Sequence, residues 1–203
     1  MLVREVVFAA ENEVEVRERE AELVPGPRQV LLRTLYSFVS TGTERAKLTG
    51  LQKIAYPWVA GNRAVAEVAA VGSEVADVRP GDKVLAHTPH VSHALTDAFR
   101  VKVPGTVPLQ QAAATVLALV AMTALRVSPP ELGDTVVVVG LGPVGMIAAQ
   151  LYEAAGVTVV GVDRGGRVMT ARTAAGIETW STGLVEPERR LDYWIGAVCE
   201  CFL

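Results

Sequence analysis

The sequence predicts an α/β plus β fold: an all-β first part followed by a partial, about four-stranded parallel sheet with helices. Three observations carry this. The first hundred residues hold short Val-rich runs separated by turn residues; a long Ala- and Leu-rich stretch follows Pro108; and an unbroken β-branched run, Thr135–Val139, then opens a β-α-β alternation. The first pattern suggests a small barrel or sandwich, the last the front of a doubly wound domain.

Strands are expected at Val3–Phe8, Val14–Arg19, Gln29–Tyr36, Ala64–Val71, Lys83–Ala86 and Ala98–Val103, where β-branched residues concentrate. Pro25-Gly26-Pro27, Gly61-Asn62, Val71-Gly72-Ser73 and Arg79-Pro80-Gly81-Asp82 mark the turns. The acidic stretch Glu11 to Glu22, interleaved with Arg17 and Arg19, reads as a solvated strand or hairpin. Leu109 to Val127 is helical, and Ser128-Pro129-Pro130 stops it because proline cannot continue the ladder. Its apolar centre, Ala112 to Leu125, reads as a buried helix shorter than the ~20 residues that span a bilayer. Thr135–Val139 has the continuous apolar character of a strand covered on both faces. A helix is expected over Val144–Ala155, a strand over Val157–Val162 and a helix over Arg167–Ala175. A short strand near Glu178–Ser181 and a last one near Tyr193–Val198 complete the order. The division falls at 127, giving parts 1–127 and 128–203.

With 203 residues and 50% apolar composition the chain can bury a real core. Nineteen basic and 22 acidic residues leave a net charge of −3 without a basic block, so nucleic acid is not an expected partner. Nothing at the N-terminus resembles a secretory signal, no membrane partner is expected, and the location expected is cytoplasmic. Cys199 and Cys201 read as reduced thiols.

Gly140-Leu141-Gly142-Pro143-Val144-Gly145 fits G-x-G-x-x-G in its proper context, after a buried strand and at the opening of a helix. Gly140 permits the tight turn, Gly142 close approach of the backbone to a pyrophosphate, and Gly145 tight helix–strand packing. Pro143 and Val144 begin the helix, whose free amides and positive dipole end suit phosphates. The next strand ends at Asp163, 18 residues past Gly145, where a carboxylate accepts bonds from the ribose hydroxyls and favours NAD. Arg164 and Arg167 stand beside it and suit a 2′-phosphate, so NADP stays open. The alternative is a parallel-sheet turn whose glycines serve packing alone.

On these residues, with the turn Gly81-Asp82-Lys83-Val84 and the helix carrying Thr123-Ala124-Leu125, the chain resembles the medium-chain dehydrogenase/reductase superfamily. The resemblance implies a GroES-like N-terminal barrel, a Rossmann-type dinucleotide-binding sheet, a nicotinamide cofactor held between the two, and Thr123 beside the nicotinamide. It also implies a six-stranded sheet, against which this chain reads as C-terminally truncated after the fourth strand. That strand would then be an exposed edge, so the expected partners are a small-molecule substrate and a second copy, or another chain, covering the edge.

The departures concern zinc. Family members with zinc carry a Cys-Gly-x-Asp-like segment where this chain has Thr41-Gly42-Thr43-Glu44, and Gly-His-Glu where it has Gly61-Asn62-Arg63. Their third ligand falls near Leu119, and the four-cysteine lobe is missing. A hydroxyl, a carboxamide and an alkyl group do not supply thiolate and imidazole ligands, so no zinc is expected. The segment Ser37 to Glu44 looks like a zinc-less subgroup that includes bacteriochlorophyllide-type dehydrogenases. Thr43 matches the hydroxyl of the family's proton relay, or is a loop threonine bonding its own backbone. Glu44 and Arg45 are expected to pair only with each other. His87, His90 and His93 lie three apart in a Pro-broken segment, which argues against a metal cluster. His90 is the one expected to serve as acid, base or substrate donor, with exposed turn histidines as the alternative.

The function expected is a zinc-independent, NAD(P)-dependent oxidoreductase acting on a small organic substrate by hydride transfer. Thr43 or His90 would handle the proton, and Asn62 or Arg63 would orient a polar group. The alternative is the same scaffold reused for a non-redox reaction (cyclase, isomerase or lyase), or a partner-binding paralogue.

Overall fold

A computed structural model describes residues 1–162 and, as backbone, the strands at 172–173, 176–177 and 193–196. The chain divides into two compact units, Met1–Thr115 and Val116–Phe202, with the division inside the long helix.

The first unit contains β1 (Leu2–Ala10), β2 (Glu13–Glu20), β3 (Val30–Ser37), α1 (Thr41–Leu48), β4 (Trp58–Val59), β5 (Ala64–Val71), β6 (Lys83–Ala86), β7 (His93–Thr96) and β8 (Arg100–Lys102). β1 and β2 form the solvated hairpin expected from the alternating charges, and Asn12, at φ 61°, takes the left-handed turn position that asparagine tolerates. β1 also pairs antiparallel with β4, giving the order β2-β1-β4. The second sheet is antiparallel, ordered β7-β3-β5-β6-β8. Its inner face buries Val30, Leu32, Ala66, Val68, Val84 and Ala86 with Val78. Each fully buried valine or leucine contributes about 1.5–3 kcal/mol relative to exposure.

The barrel expected for this part is not closed: the structure has two open sheets. They meet where Val6 N–H donates to the His90 carbonyl and Ser92 N–H to the Arg4 carbonyl, around a single bridge of Glu5 with Val91. The ladder stops there because the next donor, His90 N–H, goes to the Ala60 carbonyl, and the Val6 carbonyl accepts from Ala60 N–H instead. Three elements were not expected from sequence: α1, β4 and β7. The strand placed at Ala98–Val103 is shorter, at Arg100–Lys102.

The second unit takes most of α2 (Leu109–Val127), with β9 (Thr135–Val139), α3 (Pro143–Ala154) and β10 (Thr158–Val162). The backbone strands β11 (Arg172–Thr173), β12 (Gly176–Ile177) and β13 (Tyr193–Gly196) follow. The β-branched run forms a strand as expected: Val136, Val137 and Val138 are fully buried. β10 and β13 flank β9, both parallel to it, with Val159 opposite Val136 and Trp194 opposite Val137. Among the described residues the parallel sheet therefore has three strands, ordered β10-β9-β13. The short strand expected near Glu178–Ser181 lies outside the described residues. The helix expected over Arg167–Ala175 is corrected at its centre: Arg172–Thr173 pair antiparallel with Gly176–Ile177. β-branched Thr173 favours a strand over a helix at that position.

α2 is not a buried helix. Ala112, Ala113, Leu117 and Ala121 are buried, but Leu119, Val120, Met122 and Val127 are exposed. By length and composition alone it could cross a bilayer; Ala124 and Leu125 nevertheless pack on the core of Val136, Val138, Ala149, Tyr152, Val157 and Val159. Its residues were expected inside because they are apolar, but helical geometry turns only one stripe inward.

Candidate functional site

The glycine turn between β9 and α3 forms as its motif requires. Gly140 sits at φ +92°, a conformation glycine adopts without strain, and donates its N–H to the Val162 carbonyl at 2.7 Å. Gly142 is the N-cap of α3, Pro143 the first helical residue, and no side chain caps the helix. The first-turn amides of Val144 and Gly145 are therefore left for another acceptor. Gly145 is buried, as a packing glycine should be. Gly142 differs: a Cβ added there would meet nothing within 4 Å. Packing among the described residues does not explain that glycine, whereas close approach of a ligand to bare backbone does. Gly161 in β10 completes the turn, since a Cβ there would come 2.8 Å from Leu141 Cδ2. Sequence reading missed it, although glycine within a Val-rich strand is the usual sign of close approach. Asp163, Arg164 and Arg167, expected to read the ribose, lie outside the described residues, as do Cys199 and Cys201. Thr123 is exposed on α2 and its hydroxyl donates to the Leu119 carbonyl at 3.1 Å.

In the first unit the residues singled out gather around α1 and the Gly61 turn. Thr41 and Thr43 are exposed in the opening turn of α1, so Thr43 belongs to a helix and not to a loop. The expected Glu44–Arg45 pairing is wrong. Glu44 is buried; its Oε1 accepts from Ser40 N–H at 2.7 Å and its Oε2 meets His90 Nε2 at 2.9 Å. The first contact resembles a capping box lengthened by one residue. The second arises because successive helical positions point about 100° apart, which sends Glu44 inward and Arg45 outward.

His90 is likewise buried. Its N–H donates to the Ala60 carbonyl at 2.7 Å, and its ring lies against Gly61, at φ +97°. A Cβ on Gly61 would fall 2.4 Å from His90 N and 2.7 Å from Nδ1, an atom with no hydrogen-bond partner among the described residues. The Glu44–His90 contact thus ties the helix presenting Thr43 to the turn presenting Asn62 and Arg63. His87 and His93 go elsewhere. His87 is exposed, and His93 Nδ1 lies 3.2 Å from Ser92 Oγ. Among the described residues no three His, Cys, Asp or Glu side chains gather in a way that could hold a metal ion.

Asn62 is exposed, and both its backbone and side-chain oxygens accept from Arg63 Nη1. The Arg63 guanidinium stands 6.0 Å from the centre of the Phe99 ring. Ser37, Ala64, Ala86 and Arg100 form one row across the sheet. The next row continues it past the strand ends: Phe38 N–H donates to the Arg63 carbonyl and His87 N–H to the Phe99 carbonyl, both at 3.1 Å.

Although His87 is exposed, partial desolvation by the neighbouring protein holds its imidazole below the ordinary value of 6.5, with the Arg63 guanidinium adding to this. Burial does the same for His93, helped by Arg33 and the N-terminus. Carboxylates elsewhere in the unit are held low by partners: Glu67 chiefly by Lys83, Asp77 by Arg100 and Asp82 by Lys102. Both classes push stability the same way. The unfolded chain binds protons that the native state refuses, so stability is full above about 6.5 and falls as pH drops, first through the histidines and then through the carboxylates. Urea midpoints at pH 7.5, 5.5 and 4 are expected to decline in that order; a midpoint that rises at pH 5.5 contradicts the histidine assignment.

The family model of the alcohol dehydrogenase GroES-like domain matches residues 26–116. A probable quinone oxidoreductase of Schizosaccharomyces pombe is 33% identical over 159 residues, covering 74% of this chain and 46% of that protein. D-guloside 3-dehydrogenase of Escherichia coli K12 is 37% identical over 108 residues, covering 51% of this chain and 31% of that protein. Among solved structures, the quinone oxidoreductase of Pseudomonas syringae pv. Tomato DC3000 superposes with a TM-score of 0.67 at 26% identity, covering 78% of this chain and 52% of that one. The chain spans less than half the length of these curated relatives.

Proposed function

The chain belongs to the medium-chain dehydrogenase/reductase superfamily, and from that premise we propose that it is an NAD(P)-dependent, zinc-independent oxidoreductase acting on a small organic substrate. The observation that carries the cofactor is Gly142, a bare position at an uncapped helix start with open space where a side chain would be. Gly140 shapes the turn, and the amides of Val144 and Gly145 would hold the pyrophosphate. A nicotinamide bound there supplies the hydride donor or acceptor.

Zinc independence rests on the donor set. Thr41, Asn62 and Leu119 stand where zinc members of the superfamily place their ligands, and none is a zinc donor. Without a Lewis acid, charge developing on a carbonyl or activated double bond must be met by hydrogen bonds. Exposed Thr43 and Asn62 can donate them, with Thr43 passing the proton and Arg63 orienting a polar substrate group. His90 acts one step back, as a positioning residue, because its Nε2 is engaged by buried Glu44.

Titration with NADH and NADPH, followed by nicotinamide fluorescence, tests this reading; no saturable binding up to millimolar cofactor would overturn it. We also propose that the chain associates with itself through the free edge of β13, which no described strand covers. Light scattering is then expected to give at least twice the 21.5 kDa chain mass. A monomer at all concentrations removes that proposal.

A further inference from the structure

The row beyond the ends of β3, β5, β6 and β8 holds a cation without a counter-ion. Arg63 has no carboxylate within ion-pair distance among the described residues, although most arginines of the unit are paired. Arg4 pairs with Glu18, Arg17 with Glu15, Arg19 with Glu5, Arg33 with Glu67, Arg79 with Asp82 and Arg100 with Asp77. Its Nη1 is engaged by Asn62, which fixes the plane of the guanidinium, and its Nε is buried without a partner. Phe99 is 50% exposed beneath it. His87 stands beside both, through its backbone bond to Phe99 and the field of Arg63. A guanidinium held by Asn62 with Nη2 left over, a half-exposed aromatic ring and an imidazole lie together. The first can donate to an oxyanion through its remaining nitrogen, Nη2, and the second covers an apolar body.

We propose that Arg63, Phe99 and His87 bind a small organic anion, with its carboxylate or phosphate on the guanidinium and its apolar part on the Phe99 ring. In calling that anion the substrate, the proposal rests on the oxidoreductase reading; as a binding site it stands on this geometry alone.

The purified full chain is titrated with benzoate, phenyl phosphate and neutral benzamide, following the His87 and Phe99 resonances by NMR. Saturable shifts are expected with at least one of the two anions and not with benzamide, and whichever anion binds tighter identifies the headgroup. Arg63→Gln is expected to weaken binding about tenfold or more. Phe99→Leu, which keeps the sheet pairing, is expected to weaken it several-fold. Bound anion neutralises the guanidinium, so the His87 titration midpoint is expected to rise. No saturable shift with either anion, or equal affinity for benzamide, overturns the site without recourse to any variant. So does unchanged affinity in folded Arg63→Gln. NADH and NADPH titrations of the same samples separate the two readings. Cofactor binding without Arg63-dependent anion binding removes the anion site alone. Arg63-dependent anion binding without cofactor binding keeps it and removes the redox reading.

Discussion

Gly61→Ala is expected to cost roughly 3 kcal/mol or more, combining overpacking with a left-handed backbone that alanine resists. The added methyl would lie 2.4 Å from His90 N and 2.6 Å from its Cγ, against backbone that is pinned by the bond to Ala60. The flexible end of a side chain could yield; a backbone nitrogen held at 2.7 Å cannot. For a chain of this size the loss corresponds to a fall in Tm of about 6–12 °C. Gly81→Ala is the control, since Gly81 shares the positive φ, at +92°, but has nothing within 4 Å. It isolates the conformational cost, about 1 kcal/mol. Glu44→Ala attacks the same junction from α1 by leaving His90 buried without its carboxylate, at about 1–3 kcal/mol. If Gly61→Ala melts within about 2 °C of Gly81→Ala, the tight packing of His90 on the glycine is wrong.

That junction also shows where sequence reading stops. Local patterns were legible wherever one physical cause dominated. The β-branched run Thr135–Val139 became the central parallel strand, Leu109–Val127 a helix, and the alternating charges of Glu13–Glu20 a solvated strand. Non-local contacts were not. Glu44 and His90 are 46 residues apart, and nothing in either neighbourhood announces the other. The nearer cation, Arg45, was the natural partner until the helix turned it outward. α1 was missed because Thr41-Gly42-Thr43 contains poor helix formers; Ser40 and Glu44, which satisfy its first turn, were the available signal. The closed barrel failed for a related reason: strands can be recognised singly, but closure depends on the seam, and Ala60 takes the His90 N–H and the Val6 carbonyl that would extend it beyond one bridge. The apolar exposed face of α2 was invisible because hydropathy reports what a residue would prefer, while exposure depends on what is there to cover it.

Gly142→Asp separates cofactor binding from folding, because the two respond in opposite directions. Gly142 has φ −67°, an ordinary conformation for any residue, and a Cβ there enters open space. Aspartate is moreover a preferred N-cap, able to satisfy an amide that the glycine leaves free, and so adds a few tenths of a kcal/mol to the helix start. Melting temperature is therefore expected to hold or rise slightly. Nucleotide binding is expected to fall by about a hundredfold or more. The new carboxylate would take the amides that serve the pyrophosphate and would place a negative charge beside it, and such like-charge contact costs several kcal/mol. Gly142→Ala divides these effects, since a methyl fills the space without charge and is expected to weaken binding less than aspartate does. Unchanged affinity for both NADH and NADPH in a folded Gly142→Asp would mean that the pyrophosphate does not lie at this turn. The glycines would then serve the β9–α3 packing alone, and the redox reading would lose the observation it stands on.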